Sequence, residues 1–139
     1  MATAGEALTN LIARPDGLFE LCMGRSVFNL SRPMARQGIG TPYLNPLSSD
    51  RFGGRLAAAL VADGVHLAQP LSVPQATALA MVERTESGHP DYAFYREGAA
   101  DRAVSAPQLT LSCEALPALA MVCSGCLALA PEDAGIDLP

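Results

Sequence analysis

The chain has no lysine. All nine of its basic residues are arginine, they face fourteen acidic residues, and the net charge is −5. A surface that tracks phosphates needs a basic face, so this balance argues against a nucleic-acid partner. The opening stretch MATAGEALTNLIARPDG lacks a basic segment followed by a long apolar one. It therefore does not read as a secretory signal, and the expected setting is the reducing cytoplasm, where structural disulfides are uncommon. Long hydrophobic runs are also missing. The longest run free of Asp, Glu, Arg and His, residues 115–131, is short for a membrane span and contains Pro117, Ser124 and Gly125. It reads better as a buried strand with its flanks, which argues against a membrane partner. No Ser/His/Asp set, no Gly-rich loop ending in Lys-Ser/Thr, and no pair of histidines at metal-ligand spacing occurs. The two histidines, His66 and His89, stand after a helix and in a turn, where solvated or capping roles are expected.

Cysteine is scarce but patterned. Of four, Cys123 and Cys126 form a C-x-x-C pair, whereas Cys22 and Cys113 are isolated. A zinc site needs two further ligands at suitable spacing, so ordinary thiols are the expectation and no metal site is read.

What is present fits one globular domain: 139 residues, half of them hydrophobic and 17% charged. The first twelve residues are small, apolar and strand-like, and the turn signal RPDG breaks them. LFELCM alternates as a half-exposed strand does. From Ser26 to Gln37, Val27, Leu30 and Met34, with Phe28, recur at helical spacing, with Ser26 as the expected N-cap and Gly38 as the stop. GTPYLNPL is a short strand interrupted by two prolines. SSDRFGGRLAAALVADGV is the clearest helix, capped by Ser49 or Asp50, striped by Phe52, Leu56, Leu60 and Val61, and ended by Gly64. TALAMVE and DYAFYRE flank the turn-rich RTESGHP as a hairpin, and LPALAMVCSGCLAL supplies a last buried strand. This order predicts an α/β core with an inserted β-structure.

Within the hairpin, period-two alternation places Tyr92, Phe94 and Arg96 on one face. Such a face can cover a sugar ring and grip a carboxylate or hydroxyl, or it can be an ordinary amphipathic hairpin. Asn29 carries both donor and acceptor, so it can hold two neighbouring hydroxyls or serve as a surface residue or cap. Gly24 ahead of a helix permits a close backbone approach. Glu6 and Asn10 stand near the end of the first strand, where open α/β sheets place ligand groups.

Taken in order, these segments resemble the PfkB (ribokinase-like) carbohydrate kinases. GEALTNLIARPDG is similar to that family's Gly-Glu-x-Leu-x-Asp strand, and MGRSVFNLSRPMARQG to its Gly-Gly-x-x-x-Asn-x-Ala helix. LSSDRFGGRLAAALVADGV resembles its Asp-x-Phe-Gly…Leu…Gly-Val segment. DYAFYREGAADRA resembles the Phe-Tyr-Arg-x-Gly-x-Ala hairpin of fructokinases and 2-keto-3-deoxygluconate kinases, and CSGCLAL the His-Thr-Gly-Ser-Leu strand end. The pattern departs from the family's at Asn10 (usually Asp), at Arg25 (usually a second Gly), and at Pro33, Gln37, Pro42 and the Asn45-Pro46 pair. A long side chain at Arg25 is expected to enter the space where backbone meets ligand.

The resemblance implies a partial Rossmann-like core, about residues 1–10, 24–70 and 97–139, with a small β-sheet lid from about 11–23 and 71–96. It implies a sugar or sugar-acid site made of Asn10, Gly24, Asn29, Phe94 and Arg96, and homo-oligomers formed through the lid. ATP and Mg2+ are implied as cofactors. The family's Gly-Ala-Gly-Asp motif, with its catalytic Asp and phosphate-binding amides, does not occur in the 139 residues. The expectation is the sugar-binding N-terminal half of a kinase, inactive by itself, or else a diverged non-catalytic module that binds sugar or dimerises. An open sheet edge would favour association.

Overall fold

In a computed structural model of the chain, which describes residues 1–69 and 72–125, the backbone builds two four-stranded sheets of different character. In chain order the elements are β1 (Ala2–Ala4), β2 (Leu8–Ala13), β3 (Phe19–Gly24), α1 (Ser26–Arg36), β4 (Pro42–Tyr43), α2 (Arg51–Ala62) and β5 (His66–Leu67). Next come β6 (Leu79–Arg84), β7 (Pro90–Tyr95), a 3-10 turn at Ala100–Arg102, α3 (Ala106–Glu114) and β8 (Val122–Ser124). The first sheet is wholly parallel, in the order β5-β4-β1-β8. The second is mixed, in the order β3-β2-β6-β7, with only β2 and β6 parallel. The α/β class, with a small inserted sheet, is as expected.

The single opening strand of the sequence reading is two strands in two sheets. Gly5, at φ 152°, makes the break, and a Cβ there would lie 2.6 Å from the Val27 Cγ2. The close pass of α1 thus demands a bare backbone where the chain leaves one sheet for the other. The RPDG turn follows, with the Gly17 amide donating to the Arg14 carbonyl at 3.0 Å. The β6–β7 hairpin closes through Thr85, Gly88 and His89, as its turn residues predicted.

Both central helices form where periodicity placed them, but their details differ. In α1 the buried residues are Val27, Phe28 and Ser31, whereas Leu30 is exposed. The inward row therefore runs through a serine, whose hydroxyl lies 2.7 Å from the Val27 carbonyl oxygen and 2.8 Å from the Thr3 hydroxyl. That pairing satisfies the hydroxyl inside the core and explains why a purely apolar stripe misassigned the face. Ser26 is not the N-cap; Arg25 is, without a side-chain cap bond. In α2 the expected cap is present: Asp50 Oδ1 accepts from the Gly53 amide at 2.7 Å. Gly53, Leu56 and Leu60 face inward while Val61 is exposed. A Cβ at Gly53 would collide with the Ser48 carbonyl, so the helix can start at this depth only with glycine there.

The parallel sheet is covered on both faces. Phe28, Val27, Leu56 and Leu60 pack with Tyr43 and Leu47 on one side. Leu109 and Cys113 of α3, with Leu116 and Leu119, pack against Ala2, Ala4 and Leu44 in another cluster. A fully buried side chain such as Phe28 or Leu56 contributes about 1.5–3 kcal/mol by leaving water. Helix α3 had no counterpart in the sequence reading. The last strand, expected to be buried, is a short β8 beside β1 whose Val122 is 46% exposed. Pro42 lies in the inner strand β4, which is only two residues long; Leu44 and Tyr43 carry its ladder bonds, to Thr3 and from Ala68. Cys126, half of the C-x-x-C pair, falls outside the described residues. Cys22, Cys113 and Cys123 are free thiols.

Candidate functional site

The site lies where β2, β3 and the start of α1 meet. Register pairs Asn10 with Cys22 and Leu8 with Gly24, so Asn10 and Gly24 stand two residues apart across the strand pair. Asn29 comes back to the same place one turn into α1. A Cβ on Gly24 would sit 3.5 Å from the Asn10 Nδ2 and from both amide atoms of Asn29. Two carboxamides therefore converge over a bare, buried stretch of backbone. Asn10 donates to the Cys22 carbonyl at 3.2 Å, which fixes its orientation and leaves its Oδ1 as an acceptor. Asn29 is exposed on the cleft side. These three residues line a cleft of about 370 Å³ together with Arg25, Ser26 and Tyr92.

Phe94 and Arg96 line a second cleft, of about 580 Å³, with Glu97, Gly98 and Arg102. The five residues singled out from the sequence thus fall into two groups. Arg96 is held by Asp101 (Nη2 to Oδ2, 3.2 Å), and the two side chains are only 11% and 4% exposed. The join between the groups is Arg25. Its guanidinium lies 4.5 Å from the Phe94 ring centroid and 5.5 Å from that of Tyr92, whose rings stack at 5.7 Å with 2° between their planes. Instead of crowding the Gly24 backbone, Arg25 bends away onto the two aromatic rings. The backbone conformation that permits this, φ 125° and ψ 165°, belongs almost exclusively to glycine and costs about 1–3 kcal/mol.

A buried polar cluster supports the floor where β1 and β4 end. The Tyr43 hydroxyl donates to the Gly5 carbonyl at 2.6 Å, and Asn45 bridges the Gly5 amide (2.8 Å) and the Asp101 carbonyl (3.0 Å). Burial pushes the Tyr43 phenol well above its ordinary value, and the charges of Asp101 and Glu6 add to the effect. Glu6 is fully buried and accepts from the Ser26 hydroxyl at 3.3 Å. Asn45, read from sequence only as a departure in a turn, is thus the strut joining β1 to the Arg96–Asp101 pair. Its paired amide donor and acceptor, next to a proline, was the available signal.

Among the described residues, no three His, Cys, Asp or Glu side chains converge as a metal site would require. No Gly-rich phosphate cradle occurs in the sequence either. None of the described residues is given a part in binding a Mg2+–nucleotide complex.

No protein-family model matches the chain. It is 31% identical over 131 residues to a curated fructokinase from Rhizobium leguminosarum bv. trifolii, an overlap of 88% of this chain and 40% of the relative. Its structure matches that of a fructokinase with bound ATP from Xylella fastidiosa at a TM-score of 0.66 and 29% identity, over 76% of this chain and 36% of that one. In sequence and fold the chain is similar to part of the PfkB (ribokinase-like) carbohydrate kinases. A PfkB protein from Polaromonas sp. JS666 shares the fold at a TM-score of 0.67 and 24% identity, with 77% of this chain and 38% of that one covered. The chain spans about two fifths of the length of the curated relative it matches. Among its described residues no helix is long and apolar enough to cross a membrane.

Proposed function

We propose that these residues are the sugar-binding N-terminal portion of an ATP-dependent carbohydrate kinase acting on a hydroxyl of a sugar or sugar acid, of the fructose or 2-keto-3-deoxygluconate class. The observation that carries this reading is the convergence of the Asn10 and Asn29 amides over Gly24. Two amides side by side match the alternating donors and acceptors of neighbouring hydroxyls, and a glycine floor lets the ring sit against backbone. Phe94 and Arg96 complete the site from β7, with Asp101 holding Arg96 in place. The mixed sheet acts as the lid, about residues 11–23 and 71–96. The catalytic Asp and the nucleotide pocket, with ATP and Mg2+, belong to residues beyond these 139, so the chain by itself binds sugar without phosphorylating it. Such a kinase acts in the cytoplasm.

Lid-to-lid pairing into a homo-oligomer is part of the proposal. The edge strand β7 leaves Tyr92, Phe94 and Tyr95 exposed, the last at 59%. An edge strand with exposed aromatics is a template for a second copy. Light scattering should find a species larger than the monomer; a stable monomer would contradict the pairing.

A second reading, a non-catalytic kinase-like module that keeps sugar binding or lid pairing, is favoured by Arg25 in the position of a glycine. The nucleotide sequence following codon 139 separates the two: a frame encoding Gly-Ala-Gly-Asp supports the kinase, and its absence supports the module. Sugar binding itself is tested by calorimetric titration with D-fructose and 2-keto-3-deoxygluconate. Heat of binding that Asn29→Ala and Arg96→Ala diminish is expected; no heat with either sugar would overturn the reading.

A further inference from the structure

Arg25 is in an unusual position for a cation. It is the one charged residue among those lining the Asn10–Gly24–Asn29 cleft. Four other arginines, Arg14, Arg32, Arg36 and Arg96, each pair with an aspartate, whereas Arg25 makes no ion pair among the described residues. Its Nε is buried without a hydrogen-bond partner. It sits at the N-terminus of α1, where the helix dipole disfavours positive charge, and in a glycine-type backbone conformation. Among the described residues no carboxylate and no hydrogen-bond acceptor offsets these three costs. What fixes the side chain is contact with Phe94 and Tyr92, which holds the planar guanidinium against the aromatic wall.

The Arg25 Nε–H is shut away, but the two terminal Nη groups of a guanidinium held in this way form the end-on fork that a carboxylate accepts through two parallel hydrogen bonds. Asn10 and Asn29, in the same cleft, supply amides for hydroxyls. We propose that Arg25 makes this cleft selective for a sugar acid: its guanidinium takes the carboxylate while the two asparagines take the hydroxyls. The inference rests on the sugar-binding reading above and narrows it from sugars in general to anionic ones. It differs from a role for Arg96, whose charge is already met by Asp101.

The test compares D-gluconate with D-glucitol, which differ only in carboxylate against hydroxymethyl, by titration calorimetry on the wild-type chain, Arg25→Gly and Arg25→Lys. The wild type should bind gluconate at least about tenfold more tightly than glucitol, in line with a charge-assisted pair. Arg25→Gly, which suits the backbone and so keeps the fold, should remove that preference while glucitol binding persists. Arg25→Lys should retain part of it. Equal affinities on the wild type, or a preference that survives in Arg25→Gly, would overturn the proposal and leave the sugar site standing. Tighter binding of both compounds to Arg25→Gly would also overturn it, because Arg25 would then be a plug. If neither compound nor D-fructose binds any variant, the sugar-binding reading itself fails, and this inference with it.

Discussion

The two clefts are built on opposite principles. On the β2–β3–α1 side, neutral amides and an arginine without an ion-pair partner among the described residues line the cleft. On the β7 side, Arg96 is spent on Asp101, which in turn is tied through Asn45 to the end of β1. The first arrangement leaves hydrogen-bonding capacity for a ligand; the second uses it to hold the structure. One family signature can thus contain residues of both kinds, and sequence alone does not sort them.

Removing residues from each side should break this symmetry in a graded way. Arg96→Ala leaves Asp101 buried without its counter-ion, so the largest effect is expected there, a loss of about 3 kcal/mol in chemical denaturation. It should weaken sugar binding as well. Next is Asp50, which joins the two sheets: besides capping α2, it accepts from the Thr77 amide and hydroxyl, both at 2.7 Å, just before β6. Burial alone would raise its carboxyl, but the bonds from Gly53, Thr77 and Ser48 outweigh it and hold the value at about 2. Asp50→Ala should cost about 2 kcal/mol. Because the folded-state value lies below the unfolded one of about 3.9, the Asp50 contribution is complete above that pH and fades as pH falls toward 2. Acid titration of stability in wild type and Asp50→Asn should converge over that window.

Smaller changes sharpen the contrast. Arg25→Gly should stabilise the fold by about 1–2 kcal/mol, because glycine adopts the backbone conformation of residue 25 freely. A loss of stability would mean that the contacts with Phe94 and Tyr92 outweigh the strain. Asn29→Ala should leave the thermal midpoint nearly unchanged while reducing sugar affinity about tenfold, the worth of one or two hydrogen bonds.

Most of the architecture was legible because it rests on local signals. The cap-and-stop pair Asp50 and Gly64, the turn residues around Gly17 and Gly88, and alternation in the hairpin each act over a few residues. What was illegible depends on distant partners. Ser31 belongs to the core only because Thr3 meets it, and Gly5 divides the first strand only because α1 passes close by. Helix α3 was missed for another reason. Among its residues none is buried, so no apolar stripe advertises it. Its signal was the Ser105–Gln108 capping box, in which the Gln108 side chain accepts from the Ser105 amide at 2.8 Å. In the site, the convergence of Asn10, Gly24 and Asn29 followed from family resemblance and not from spacing. The path of Arg25 onto two rings of another strand could not be read from either.

The central claim is that Asn10, Gly24 and Asn29 form a sugar-binding floor. Amide chemical-shift mapping of isotope-labelled chain during titration with 2-keto-3-deoxygluconate tests it most directly. Saturable shifts at the side-chain amides of Asn10 and Asn29 and the backbone amides of Gly24 and Arg25 are predicted. Shifts confined to other parts of the fold, or none at saturating sugar, would contradict it.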